Sequence, residues 1–444
     1  MLKAGMARAD ITPPLGLELA GYPHYPRNNT GHHDPLYATC MYLCDGENEI
    51  AMVTLDLLFF SKKYVGFVRE KVFAEIGMKS ESIMIGCSHT HSGPWASGYD
   101  DVELIESGKE IDAAYVNDIV KKIADCIIEA KKTSFEASFA YGTGICGAES
   151  GVGGNRRMPG GPHDPIVSVM AVRDSEAKLR GAIVNYTLHP TFIHEWSTVC
   201  TADFPLYVRL EVEENYAGAL ACFSQGASGN QSSRYYRQGE SYDEAERVGR
   251  KIGACACEIL TRCEWRSDIS LSTSMDSLDV ELRKFDSQDV LRKRAAEARS
   301  EYETLYEKFG KSENRNDYYL WQNANLRYLG AEGELVFSRI MSENIPAPFI
   351  YDETPAEILV FRIGDLCVIG LPGEIFVEYA LYLKAMAGFS TVIVNELTGG
   401  SLPGYLYTPQ AFVDGGYEVG TSLLSPSFGI KLVNKTLEVI NKVK

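Results

Sequence analysis

Residues 357–374 read EILVFRIGDLCVIGLPGE. Two apolar runs, 357–362 and 366–371, flank Gly364-Asp365. A Gly-Asp pair between apolar runs signals a β-hairpin, because glycine supplies the positive φ that tight turns need. The sheet containing it is therefore mixed, not purely parallel. Further strand candidates fall at 50–55, 82–87, 182–186, 219–223 and 391–395. Helical patterns at 61–76, 112–133, 241–262, 287–309 and 375–386 alternate with them. Such alternation predicts an α/β fold, with mixed β-sheets flanked by helices.

One region departs from this rhythm. Between about 281 and 342 the chain is highly charged and heptad-like, as in LRKRAAEARSEYETLYEKF. It is broken by GKSENRND and resumes as YYLWQNANLRYL. The pattern predicts a charged helical hairpin inserted into the α/β body, serving as a lid, an oligomer contact or a solvated decoration.

With 444 residues, 45% hydrophobic and 23% charged, the chain has the composition of an ordinary globular protein with ample core. Its net charge of −17 argues against a nucleic-acid partner, which calls for a basic face. The eleven cysteines include no CxxC pair, and several, such as Cys222 and Cys367, sit in apolar runs. They read as reduced core residues. The opening MLKAGMARADITPP lacks the apolar stretch of a leader, and no segment reaches 18 apolar residues in a row. A cytoplasmic protein without a membrane anchor is expected.

Most strand candidates end in a polar group that a core does not use. IAMVTLD ends in Asp56, IMIGCSHTH in His89 and His91, and AIVNYTLHP in His189. ALACFSQGASGNQSS runs into a Gly/Ser-rich turn, CVIGLPGE ends in Glu374, and VIVNE ends in Asn395 and Glu396. Ligands of α/β sheets bind at the carboxyl ends of strands, so these ends converge on one polar site. In an extended segment residues i and i+2 share a face, about 6.5–7 Å apart, so His89 and His91 are expected to face one cavity. With His189 and Glu374 they form a set suited to a catalytic zinc, imidazoles plus a carboxylate with one position left for water. His32, His33 and His163 lie in turn-rich stretches and read as peripheral. In the glycine-dense GVGGNRRMPGG (151–161), Asn155, Arg156 and Arg157 suggest a substrate clamp for an anionic group, or else a surface loop.

Taken in order, CSHTHSGP, VNYTLHP, GASGNQSS, LPGE and GYLYTPQAFVDGGYEVG resemble the catalytic domain of neutral/alkaline non-lysosomal ceramidases. ARADITPPLGLELAGY and HHDPLYA fit the same family, so the resemblance spans about residues 3–430. It implies one Zn2+ per chain, held by His89, His189, Glu374 and Tyr405. Tyr405 lies twelve residues before Tyr417, and Tyr407 is the near alternative. A phenol, with its pKa of about 10, needs the metal's help to ligate as phenolate. His91 is then implied to contact the reacting group and Tyr417 to stabilise the oxyanion. The family's serine motif falls on Gly229-Asn230-Gln231-Ser232-Ser233, which puts Ser232 in the functional position. Asn230 and Ser233 depart from the motif, so Ser228 and Ser233 compete with it.

The resemblance implies a single catalytic domain over 1–444, insertion included, without the family's additional C-terminal domain, since the chain ends at Lys444. The reaction expected is zinc-assisted hydrolysis of an amide (N-acyl) bond, with Asp203 or Glu418 returning the proton to the leaving amine. The partner expected is a small molecule or N-acyl lipid, with a homo-oligomer also open. Two other readings stand beside it. One is a hydrolase of the same fold acting on a small soluble amide, ester or sugar-derived compound. The other is a non-enzymatic metal-containing binding protein using the helical hairpin as its partner surface.

Overall fold

The hairpin at Gly364-Asp365 forms, with Gly364 at φ 61°. The structure, a computed structural model, describes residues 1–22, 25–97, 111–345, 350 and 352–444. Its larger sheet has eight strands: β1 (Lys3–Asp10), β2 (Tyr37–Cys44), β3 (Glu49–Leu55), β4 (Ile83–Cys87), β5 (Phe135–Ile145), β6 (Ile166–Asp174), β7 (Leu179–Tyr186) and β8 (Leu220–Gln225). Their spatial order is β8-β7-β6-β5-β1-β2-β3-β4. The smaller sheet follows chain order as β9 (Leu271–Leu278), β10 (Ala356–Ile363), β11 (Leu366–Gly370) and β12 (Thr391–Asn395). Both are mixed, as the hairpin predicts.

Side-chain alternation stacks the two sheets. On β10, Leu359, Phe361 and Ile363 face Met41, Leu43, Met52 and Ile183 of the larger sheet. Ile358 and Val360 point the other way, toward helices α7 (Val377–Met386) and α9 (Phe428–Asn441). On β2, Met41 and Leu43 look inward to the second sheet. Ala38, Cys40 and Tyr42 look outward to α1 (Lys62–Ile76) and α2 (Ala113–Lys132). The period-2 pleat thus gives four layers, helices, sheet, sheet, helices, with an apolar core between each pair. On the outer face of the larger sheet lie also α3 (Phe204–Asn215) and α4 (Tyr242–Arg262).

Within the two large sheets, three strand pairs among the described residues are parallel: β3/β4, β7/β8 and β11/β12. Each is joined through a helix, α1, α3 and α7 respectively. These βαβ units bring six strand carboxyl ends to one edge of the molecule, which is where the functional side chains collect.

Some elements are not legible as patterns. β5 (FEASFAYGTGI) is rich in glycine and alanine, and β9 (LSTSMDSL) is half exposed and polar, so neither alternates cleanly. α3 reads FPLYVRLEVEEN, heavy in β-branched and aromatic residues. Its helicity is set by the Asp203 cap and the proline in its first turn. The charged insertion is a hairpin of α5 (Gln288–Phe309) and α6 (Arg315–Glu343), zipped by Tyr302 stacked on Tyr328 and Tyr306 edge-on to Trp321. No helix among the described residues is long and apolar enough to cross a membrane.

Candidate active site

β4 ends at Cys87, two residues short of the first histidine, so the extended HTH segment expected from the sequence is not there. The chain instead bends, with Ser88 N–H donating to Leu55 O (2.8 Å) and His89 N–H to Leu57 O (2.9 Å). His89 takes φ 69°, a conformation that costs a branched backbone about 1 kcal/mol or more. The turn nevertheless brings the two rings together, with His89 and His91 centroids 4.9 Å apart. The conclusion of a shared cavity holds, on a different backbone.

Each imidazole is oriented by a backbone carbonyl. Nδ1 of His89 meets Leu58 O at 3.2 Å, Nδ1 of His189 meets Ser228 O at 2.9 Å, and Nδ1 of His91 meets Gly21 O at 2.8 Å. A carbonyl can only accept, so Nδ1 carries the hydrogen in all three and Nε2 presents a lone pair. Two of these lone pairs, His89 Nε2 and His189 Nε2, lie 3.0 Å apart. Glu374 Oε2 is 3.3 Å from the first and 3.1 Å from the second. Three acceptors this close repel one another unless a cation sits among them. Tetrahedral ligands at about 2.0–2.1 Å from a zinc ion are about 3.3 Å apart, close to the spacing found. Glu374 Oε2 and His91 Nε2 are buried and without a hydrogen-bond partner among the described residues. His89, His91 and His189 could hold a metal ion, and the donor set fits one.

The electrostatics favour neutral His91 and His189 beside a carboxylate. Burial, with Arg156 and His89, pushes His189 down to about 3. Burial, with His89 and His189, likewise holds His91 well below its usual value. Burial would raise the Glu374 carboxyl, but positive charge on the His89 and His189 side outweighs it and holds it well below the carboxylate range, the charge that a bound cation supplies while both Nε2 atoms keep their lone pairs.

The two tyrosines fall in different places. Glu374 pairs with Tyr405 in a two-residue parallel bridge, so their side chains stand side by side. Tyr407 instead buries its hydroxyl against Leu424 O at 2.6 Å. Behind the ligand set lies Glu396, at the end of β12. It accepts from Ser228 Oγ (2.5 Å), which touches His189 Nδ1 (3.1 Å), and from the N–H of Ile375 (2.7 Å), next to Glu374. One carboxylate thus braces two candidate ligands. Glu396→Gln is expected to weaken metal affinity about 10–100-fold, read by chelator competition. Unchanged affinity would show that the brace is dispensable.

The other sequence candidates fall in varied places. Asp203 lines neither arm of the cavity: its oxygens accept from Phe192, Ile193 and Phe204 N–H at 2.6–2.9 Å. Burial pushes it up to about 6. Glu418 is clasped by Arg156 Nε (2.9 Å) and Arg157 Nη1 (2.6 Å), which hold it ionised against burial. Asn155 Oδ1 receives the N–H groups of Arg157 and Met158, pinning a loop that is ordered and largely buried. Ser232 lines the cavity, Ser228 is spent behind His189, and Ser233 Oγ is buried without a hydrogen-bond partner. Asp56 turns away from the site to pair with Arg209 at 2.8 Å. His33 stacks on Tyr242, while His32 and His163 bond to backbone carbonyls away from the cavity.

The cavity has two arms that share Gly21, His91, Tyr405 and Tyr417. The first is walled by Leu58, Phe59, Trp95, Phe337, Leu402 and Pro403 around His89 and Glu374. The second includes Tyr22, Arg156, His194, Arg234, Tyr318 and Asn325 beside Leu326 and Leu329. Arg234, Arg237 and His194 are not anticipated from sequence, although RYYRQGE directly follows the serine motif and His194 follows His189 by five residues. Helix α6 supplies wall to both arms, so the insertion covers the site. Its Gly330 meets Gly420 of α8 (Tyr417–Gly420) so closely that a Cβ on Gly420 would lie 2.0 Å from Gly330 O.

No protein-family model matches the sequence, and no curated protein matches it. Solved structures do share the fold, two ceramidases among them. Neutral ceramidase from Pseudomonas aeruginosa superposes with a TM-score of 0.75 at 19% identity, covering 99% of this chain and 74% of that one. A ceramidase complexed with C2 gives 0.73 at 18% identity, with the same coverage.

Proposed function

We propose that this chain, which has the fold of the neutral ceramidases, is a zinc-dependent hydrolase of N-acyl (amide) bonds. The observation that carries the reading is the cluster of His89 Nε2, His189 Nε2 and Glu374 Oε2 within 3.0–3.3 Å, at a cavity also lined by His91 and Tyr417. In this reading His89, His189, Glu374 and Tyr405 hold the ion. A nitrogen and oxygen donor set with neutral imidazoles suits zinc. When bound, a zinc ion polarises an acyl carbonyl and makes a water acidic enough to lose its proton near neutral pH.

The chain's own groups do the rest. Neither Asp203 nor Glu418 suits proton transfer, the first occupied by three N–H groups and the second by two guanidiniums. His91 has its Nε2 lone pair in the cavity wall and is neutral, so it takes the proton of the attacking water. As the water oxygen bonds to the acyl carbon, the Tyr417 hydroxyl donates to the carbonyl oxygen. The C–N bond then breaks, and His91 passes its proton to the departing amine. Products are a carboxylate and an amine. Ser232 and Arg156, both lining the second arm, contact the substrate, while Asn155 and Arg157 position Glu418 and its helix. The whole chain works as one catalytic unit in this account. All eleven cysteines are free thiols, which supports a reducing, cytoplasmic setting.

The test is elemental analysis of purified protein followed by a panel of N-acyl compounds. About one zinc per chain and release of a free amine are expected. Metal-free protein that hydrolyses the panel, or zinc-loaded protein inert toward every member, would remove the proposal.

A further inference from the structure

We infer that the second arm of the cavity receives an anionic group on the substrate, and that Arg234 is its counter-charge. The inference rests on the amide-hydrolase reading for where the scissile bond lies, and on the arm's own residues for the charge. Arg156 in that arm is paired with Glu418 at 2.9 Å and Arg237 with Glu240, while Glu195 accepts from Nδ1 of His194 at 3.0 Å, an imidazole whose Nε2 accepts from Arg237 at 2.9 Å. Arg234 has no carboxylate partner among the described residues. Its side chain reaches only the carbonyl of Arg156, at 3.4 Å. A half-buried guanidinium left unpaired beside a second arginine is costly, and a carboxylate that fills its fork relieves that cost. Burial and Arg156 lower its pKa, with the more distant Glu418 only partly opposing them.

The two arms differ in what they can accept. Tyr22, Tyr25, Tyr318, Gln322 and Asn325 line the second arm beside Leu326 and Leu329, with the Tyr22 hydroxyl given to Ile193 O at 3.2 Å and that of Tyr318 to Glu240 at 2.7 Å. The first arm, walled by leucine, phenylalanine, tryptophan and proline, suits an apolar acyl group. His91, Tyr405 and Tyr417, which line both arms, then straddle the amide. The substrate class that satisfies both walls is an N-acyl amino acid, with its acyl group in the first arm and its carboxylate against Arg234.

The experiment uses N-acetyl and N-octanoyl derivatives of glycine and phenylalanine, each alongside its neutral carboxamide. Hydrolysis and calorimetric binding are measured on zinc-loaded wild type, Arg234→Met and Arg234→Lys. A charge-assisted contact predicts a roughly 10- to 100-fold preference for the carboxylates in wild type, lost in Arg234→Met and partly restored in Arg234→Lys. Equal treatment of carboxylate and carboxamide by wild type, an equal loss for both in Arg234→Met, or no binding of any carboxylate probe would overturn it. Binding that follows the charge without amide cleavage would leave the anion site standing and sink the hydrolase reading. Circular dichroism of both variants separates loss of the contact from loss of the fold.

Discussion

A His89→Ala protein is expected to lose its metal and its turnover together. His89 Nε2 is one of three lone pairs packed within 3.0–3.3 Å, so its removal leaves His189 and Glu374 facing a gap. A ligand holds the ion in every state of the reaction, and two or three remaining donors rarely keep a tetrahedral site filled. His91→Ala should behave differently. His91 offers its lone pair to the cavity from a ring tied to Gly21 O, and a group needed for proton transfer matters when bonds move. Metal content should stay near wild type while kcat falls about 10²–10⁴-fold. Tyr417→Phe should keep metal and lose about 10²–10³-fold, whereas Tyr405→Phe should weaken the metal itself. Elemental analysis of the four proteins decides the matter. Zinc retained by His89→Ala and lost by His91→Ala would exchange the two roles.

Replacing 281–342 by a short linker is expected to leave a folded, metal-binding body that has lost its catalysis. None of the three large apolar clusters takes a side chain from α5 or α6, so the layered core stays intact. Arg283 and Glu334, a buried ion pair, leave together and strand no charge. What disappears is the wall: Tyr318, Gln322, Asn325, Leu326 and Leu329 of the second arm, and Phe337 of the first. The seat of Tyr417 goes as well, since Gly330 backs onto Gly416 and Tyr417. A misplacement of about 1 Å in a reacting group costs about 10²-fold, so turnover should fall by at least that much. Gly420→Val is the finer probe, because its side chain must push α6 off α8 while the metal ligands are untouched. An unfolded deletion product by circular dichroism would make the hairpin part of the core. Full activity would make it a decoration.

The pattern of apolar runs was legible because a strand's pleat is local. Each of the runs at 50–55, 82–87, 182–186, 357–362, 366–371 and 391–395 became a strand within a few residues of its expected ends. β5 and β9 were not legible, because their pairing partners, not their own composition, hold them in the sheet. The same division runs through the site. Polar residues closing apolar strands marked His89, His91, His189 and Glu374 as a group, and three parallel βαβ units do carry them to one edge. Asp56 closed its strand in the same way, yet it serves Arg209.

By itself, then, the sequence determined the layers, the hairpin and the donors available at the strand ends, since these follow from periodicities of two and 3.6 within short segments. Only the tertiary structure decided which donors meet. The tautomers of the three histidines come from the carbonyls of Leu58, Gly21 and Ser228. Tyr405, not Tyr407, stands beside Glu374 through a bridge to a residue thirty-one positions earlier in the chain. Arg156 and Arg157 turn to Glu418, and Arg234 is left facing the cavity. Each of these depends on a distance between residues far apart in the chain. Such distances are set by sheet register and helix packing, which no local pattern encodes.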